Sequence, residues 1–252
     1  MNNIRVMVIG SKGKMGHASV QAIENDPHLT CVAQCDIDAD IASEISEKEP
    51  DVVLDFTHPT AVYSNAKIIL NASKHAVIGT TGLSEAQLHE LGELAEKNEV
   101  GFLVCPNFAI GAVLMMQFAA QAAKYLNEVE IMEYHHPYKA DAPSGTAIKT
   151  AEMIHESNPT INQHLGDFKQ TERIDGAKGG YCKQIPIHSI RLDSYIASQE
   201  VVFGSAGQRL SIRHDSMDRM CFMPGVCLAI KKAPGIQGLV YGLENLLWEG
   251  PR

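Results

Sequence analysis

The chain has 252 residues, a net charge of −9, and 45% hydrophobic and 20% charged residues. That length builds one large domain or two modest ones with a real core. The acidic balance argues against a nucleic-acid binder, whose surface is usually basic, and no apolar run is long enough to span a bilayer.

Met1-Asn2-Asn3 runs straight into an apolar strand over Ile4 to Ile9. No signal peptide is expected, and with it a cytoplasmic protein. The strand enters Gly10-Ser11-Lys12-Gly13-Lys14-Met15-Gly16 and then a helix through Val20 and Ile23. Strand, G-x-x-G-x-x-G and helix form the first turn of a dinucleotide-binding βαβ unit. Its glycines allow a tight turn, close approach to a pyrophosphate and close helix–strand packing. A second strand, Thr30 to Cys35, ends at Asp36, where a ribose-binding acid is expected; Asp38 is the weaker candidate. A carboxylate there favours the ribose hydroxyls of NADH and repels the 2′-phosphate of NADPH. Ile37 supplies no cation for that phosphate, while Lys12 and Lys14 compensate in part, so NADH is preferred and NADPH stays open.

Further strands are expected at Asp51 to Thr57, Ala76 to Ile78 and Val100 to Val104. Gly79-Thr80-Thr81-Gly82 follows the second of these, and Ser84 with Gln87 reads as a capping box. Cys105-Pro106-Asn107-Phe108 leads into a helix from about Ile110 to Leu126. The pattern then changes to strands without intervening helices: Val129 to His135, Ile185 to Leu192, Tyr195 to Phe203 and Gln208 to Arg213. They predict an antiparallel or mixed sheet in a second domain, one face of which is buried in an oligomer. A Gly-rich loop is expected over 166–180, and Gly225 to Ile230 and Gly238 to Trp248 read as helical. The fold class is α/β, a Rossmann-type domain (1–106 and 217–252) plus an α+β domain (107–216). The six cysteines, Cys31, Cys35, Cys105, Cys182, Cys221 and Cys227, lack CxxC spacing. They read as reduced thiols, with no metal site expected and Cys31 and Cys35 on one strand face.

The richest chemistry lies in Glu133-Tyr134-His135-His136-Pro137-Tyr138-Lys139-Ala140-Asp141-Ala142-Pro143-Ser144-Gly145-Thr146-Ala147. Two histidines and a lysine fall within five positions. Ser144 then reads as the cap of a helix carrying Ala147, Ile148, Ala151 and Ile154. Proton donors beside a helix N-terminus suit an anionic substrate. Each part alone has a plainer reading, as a surface histidine pair, a solvated lysine and a simple cap. If the strand persisted, His135 and His136 would face opposite sides.

This stretch resembles the signature of the dihydrodipicolinate reductase family. The likeness extends over nearly the whole chain, through Gly10-x-x-Gly13-x-Met15-Gly16, Asp55-Phe56-Thr57, Gly79 to Gly82, Asn107-Phe108 and Arg219-Met220-x-Phe222. The resemblance implies an NAD(P)H-dependent reductase of a small cyclic dicarboxylate in diaminopimelate and lysine biosynthesis, assembled as a homotetramer. By the same resemblance Gly10, Ser11, Lys12, Gly13, Lys14, Met15 and Gly16 would wrap the pyrophosphate and Asp36 the ribose. Gly79, Thr80 and Thr81 with Cys105, Pro106, Asn107 and Phe108 would contact the nicotinamide side. His135 would be the acid/base residue and Lys139 the proton donor, with His136, Gly145 and Thr146 on the substrate carboxylates. Two departures stand out: Ile37 where many members carry a basic residue, and a short segment between Asp36 and Asp51. Two rival readings use the same βαβ half, an NAD-dependent imine or amino-acid dehydrogenase and a non-catalytic NADH sensor.

Overall fold

The computed structural model describes residues 3–163 and 171–248. Two compact units emerge, Met1–Ile110 with Arg219–Arg252, and Gly111–Asp218. The chain begins in the first unit with β1 (Ile4–Ile9), α1 (Lys14–Asn25), β2 (Leu29–Cys35), α2 (Ile41–Lys48) and β3 (Val52–Asp55). It continues through α3 (Val62–Asn71), β4 (His75–Ile78), α4 (Glu85–Lys97) and β5 (Gly101–Val104). The second unit holds α5 (Ile110–Ala122), β6 (Glu128–His135), α6 (Gly145–Ser157), β7 (Gly180–Cys182), β8 (Ile185–Arg191), β9 (Ala197–Ser205) and β10 (Gln208–Ser216). The chain then returns to the first unit as α7 (Met223–Lys232), β11 (Gly238–Tyr241) and α8 (Glu244–Leu247).

The first sheet has the order β11-β5-β4-β3-β1-β2 and is parallel throughout. Its strands are short apolar runs rather than alternating ones. Val6 to Ile9, Val52 to Leu54 and Ala76 to Ile78 are buried at every position, as a sheet covered on both faces requires. On one face α2, α3 and α4 bring Ile45, Ile69, Leu70 and Leu91 onto Met7, Ile9, Ile78 and Phe102. Two of these helices start on strong caps. Asp40 accepts from the N–H groups of Ala42 and Ser43, and Ser84 and Gln87 make the reciprocal box the sequence predicts. From β1 the chain goes to β2 on one side and to β3 on the other. The strand order therefore reverses there, and a crevice opens at the carboxyl ends of the strands.

The second sheet has the order β10-β9-β6-β8-β7 and is mixed: β6 and β8 run parallel, and the other neighbours antiparallel. Val129, Ile131 and Glu133 of β6 point to the buried face, as do Val201 and Phe203 of β9. Ala147, Ala151 and Ile154 form the buried stripe of α6 at the spacing the sequence predicts. Among the described residues no helix is long and apolar enough to cross a membrane.

Three expectations are corrected. Gly238 to Trp248 is not one helix: Gly238–Tyr241 is a strand beside β5, and only Glu244–Leu247 is helical. Gly238 (φ 80°) and Gly242 (φ 92°) both take the left-handed region, which ends regular structure on either side of a β-prone Leu-Val-Tyr run. The helix expected to reach Leu126 ends at Ala122 and closes in turns. Finally, Cys31 and Cys35 do not share a face. A one-residue bulge sets Cys31 opposite Val6 and Cys35 opposite Ile9, and partners three residues apart lie on opposite sides of the sheet. Of the expected 166–180 loop, residues 166–170 lie outside the described residues; the rest runs through turns into β7.

Candidate active site

In the first unit the positions expected to meet a cofactor lie at the carboxyl end of the parallel sheet, in the loop that follows it, or, for Lys14, Met15 and Gly16, in the first turn of α1. The loop after β1 is drawn tight by β2. Gly10 and Ser11 donate their backbone N–H groups to the Cys35 carbonyl at 2.9 and 3.0 Å, and Ser11 Oγ adds a third bond at 3.0 Å. Asp36 finishes the job: Oδ2 accepts from Lys12 N at 2.9 Å and Oδ1 from Ile37 N at 3.0 Å. The Lys12 N–H, and next the Ile37 N–H, hold this carboxyl below its usual range. Ile37 itself is 92% exposed.

Glycine is demanded here by backbone, not by side chains. A Cβ on Gly16 would lie 2.1 Å from the Gly10 carbonyl oxygen, and one on Gly10 would lie 2.4 Å from that of Phe56. Helix α1 starts at Gly13 with no side-chain cap and no acidic residue in its first turn. Its first N–H groups are thus left for an external anion, which suits a pyrophosphate.

The next strand ends form a hub that the sequence did not single out. Asp55 is fully buried. Its Oδ1 accepts from Thr57 N (2.8 Å), Thr57 Oγ1 (2.7 Å) and Thr80 Oγ1 (2.7 Å), and its Oδ2 accepts from Asn65 Nδ2 (3.1 Å). Asp55 thereby fixes Gly79 and Thr80 after β4 against the end of β3. Phe56 lies over Gly79, where a Cβ would come within 2.1 Å of its ring. The same ring meets Phe108 edge-on, with centroids 5.6 Å apart. After β5, Cys105 and Phe108 point into the core. Burial, with Glu244 second, pushes the Cys105 thiol up to about 12, so it is no nucleophile. Asn107 turns back to accept from Ala109 N at 2.9 Å, with Pro106 before it.

In the second unit β6 ends at His135 and His136 lies just beyond it, exposed, its ring 6.4 Å from that of Tyr138. His135 shares the buried side of β6 with Glu133, two residues back, and its Nδ1 pairs with Glu133 Oε2. Arg191, from β8, grips the same carboxylate with both arms, Nη1 to Oε2 at 3.0 Å and Nη2 to Oε1 at 2.8 Å. Its Nη2 also donates to the Asp141 carbonyl at 2.8 Å. Burial alone would raise Glu133, but the bonds from His135, Arg191 and Ser189 outweigh it and bring the carboxyl down to about 2. Lys139 Nζ pairs with Asp141 Oδ1 at 2.6 Å, which holds Asp141 below its ordinary value.

A lowered carboxyl stabilises the fold while it is ionised. The Glu133 contribution is therefore complete above its ordinary value of 4.5 and fades as pH falls from there toward about 2. Acid unfolding followed by circular dichroism is expected to be steeper across that window in the wild type than in Glu133→Gln. Parallel curves would show that Glu133 does not govern acid stability.

Helix α6 opens on Ser144, whose Oγ accepts from Ala147 N at 3.2 Å. The N–H groups of Gly145 and Thr146 have no partner within the helix. A Cβ on Gly145 would meet nothing within 4 Å, so the backbone is uncrowded at this helix start. Thr150 Oγ1 bonds the Thr146 carbonyl at 2.7 Å and accepts from Gln199 Nε2 of β9 at 2.8 Å, which anchors this helix end to the sheet.

Sequence reasoning gave no role to Glu133, Arg191 or Asp55. The two-residue spacing of Glu133 and His135 on a strand was a usable signal. Arg191 lies 58 residues from Glu133 and left none.

Comparison with known proteins identifies the family of both halves. A family model described as the dihydrodipicolinate reductase N-terminus matches residues 4–108, and one described as the C-terminus matches 111–247. The 4-hydroxy-tetrahydrodipicolinate reductase of Syntrophomonas wolfei is 49% identical, covering 96% of this chain and 98% of its own. That of Synechocystis is 48% identical, over 97% and 98%. A solved dipicolinate-bound dihydrodipicolinate reductase from Paenisporosarcina superimposes with a TM-score of 0.91 at 42% identity, over 97% of this chain and all of that one. An amine dehydrogenase from Mycobacterium smegmatis shares the fold alone, at 12% identity and a TM-score of 0.64. With matches to both halves and close relatives over nearly its full length, the chain belongs to the dihydrodipicolinate reductase family.

Proposed function

We propose that this chain reduces 4-hydroxy-tetrahydrodipicolinate to tetrahydrodipicolinate, with a nicotinamide cofactor on the first unit and the substrate on the second. The observation that carries this reading is the second unit's pairing of two features. One is a histidine and a lysine held at a strand end. The other is an open helix N-terminus ten residues further on. A sensor that only bound NADH would need neither, and a generic imine dehydrogenase would not need two sites for carboxylates.

The cofactor, when bound, supplies the hydride. The first unit offers it the uncapped start of α1 and Gly10 to Gly16 for the pyrophosphate, and Asp36 for the adenosine ribose. Gly79 to Thr81 and Cys105 to Phe108 serve the nicotinamide side. On the second unit, Gly145 and Thr146 N–H groups hold one substrate carboxylate and His136 the other. Such orientation removes several kcal/mol from the barrier. Loss of the 4-hydroxyl as water gives a C=C conjugated with the ring imine, and hydride addition to it leaves negative charge on the remote ring atoms. The Lys139 ammonium offsets that charge and delivers the proton that completes the reduction. His135, with Nδ1 committed to Glu133, presents Nε2 for proton exchange.

NADH is the preferred donor. Asp36 repels a 2′-phosphate, and exposed Ile37 offers it no cation. Oxidation of NADH and NADPH is followed side by side, with substrate made in situ by a coupled synthase. NADH is expected to give the higher kcat/KM. Ile37→Arg adds a charge-assisted bond of about 1.5–3 kcal/mol to the phosphate, a gain of roughly 10- to 100-fold for NADPH. Equal use of both cofactors by the wild type would overturn the preference. Failure to oxidise either while NADH binds would overturn the reductase reading.

The open face of the second sheet is the proposed assembly surface of a homotetramer. Glu130, Met132, Glu200, Val202 and Ser211 frame a shallow depression of about 490 Å³ there. Nearby the Arg213 guanidinium lies 5.1 Å from the Tyr134 ring, which in turn stacks near Tyr195. Light scattering of the purified protein tests the assembly.

A further inference from the structure

We infer that Arg191 is a positioning residue for both proton-handling groups, fixing the protonation state of His135 through Glu133 and the loop of Lys139 through the Asp141 carbonyl. The inference deepens the proposed function and rests on His135 and Lys139 serving it.

The charges at this point are three. Glu133 is a fully buried anion, Arg191 is a permanent cation, and His135 can be neutral or cationic. A buried carboxylate needs one compensating charge. The two-armed grip of Arg191 already supplies it, at 3.0 and 2.8 Å. His135 is therefore free to be neutral, with the Nδ1 proton donated to Glu133 and the Nε2 lone pair facing outward. Without Arg191 the same carboxylate would draw a second proton onto the imidazole. Without the Glu133 charge, Arg191 would oppose any proton there. The other charged groups on this side are Asp141, whose carboxylate feels His135, and Lys139, which is paired with Asp141. Neither touches Glu133, so the Glu133–Arg191 pair decides the outcome.

The second link is mechanical. Nη2 of Arg191 holds the Asp141 carbonyl at 2.8 Å, while Lys139 Nζ rests on the carboxylate of that same residue at 2.6 Å. One planar guanidinium thus joins β6, β8 and the loop between β6 and α6. Lysine in its place would keep the charge but could not make the fork and the carbonyl bond together.

The test is an NMR titration of the His135 imidazole in the full chain, without substrate. In the wild type the neutral ring is expected to carry its proton on Nδ1. Glu133→Gln is expected to lower the His135 midpoint and Arg191→Met to raise it. Shifts of the same sign, or none, would overturn the inference. So would a wild-type ring protonated on Nε2, a result that stands even if a variant fails to fold. Arg191→Lys is expected to keep the His135 midpoint but lower kcat at least tenfold, because the Lys139 loop is released; unchanged kcat would overturn the second link. The imidazole is read without turnover. Absence of wild-type reductase activity would therefore sink the functional reading while the titration still judged Arg191.

Discussion

Replacing Lys139 with alanine is expected to lower kcat about 10²- to 10⁴-fold, the usual contribution of a positioned general acid, and to leave NADH affinity unchanged. The fold should not suffer. The Lys139–Asp141 pair is largely a surface pair, with Asp141 at 59% exposure, and pairs of that kind contribute about 0–1 kcal/mol. The cofactor residues belong to the other unit, so binding and chemistry separate cleanly in this variant. NADH binding is read by fluorescence and turnover by loss of absorbance at the NADH band. A variant that binds NADH and turns over at nearly the wild-type rate would remove Lys139 from the reaction.

Gly16→Ala is expected to weaken NADH binding about 100-fold and to destabilise the protein by about 1–3 kcal/mol. The added Cβ would meet the Gly10 carbonyl at 2.1 Å. Both partners are backbone, so no rotamer change relieves the contact; the loop itself must open. Gly10 cannot yield toward β3, because its own Cβ position is 2.4 Å from the Phe56 oxygen. The donors at the start of α1 are then displaced from the geometry that a pyrophosphate needs. Gly180→Ala is the control, since a Cβ there meets nothing within 4 Å and should change neither property. Calorimetric titration of both variants with NADH decides the matter. An unchanged affinity in Gly16→Ala would mean the loop does not carry the cofactor.

The lowered acid tolerance of a Glu133-dependent fold and the opposite titration shifts at His135 draw on the same buried carboxylate. That carboxylate shows where sequence reading stops. The motif from Glu133 to Ala147 was plain, yet the permanent cation that grips Glu133 sits on β8. Asp55 was visible only as part of a short motif. Its hold on Thr80 and Asn65 depends on two strand ends and a helix meeting in space.

What the sequence determined by itself was everything set by local backbone demands and by periodicity. The glycine loop needs its glycines within seven residues. The α4 box needs Ser84 and Gln87 three apart, and α6 needs its cap beside its apolar stripe. The apolar runs of β1, β3 and β4 were legible for the same reason, since a strand buried on both faces has a one-letter pattern. Tertiary structure decided what depends on register between distant segments. Gly238–Tyr241 became a strand because β5 offered a free edge. Cys31 and Cys35 parted because pairing with β1 required a bulge. Arg191 joined His135 and Lys139 because β8 runs parallel to β6, opposite Glu133 and His135. Sequence distance carries no trace of such pairings, because the energy that selects them comes from burying a charge or completing a sheet only after the chain has folded.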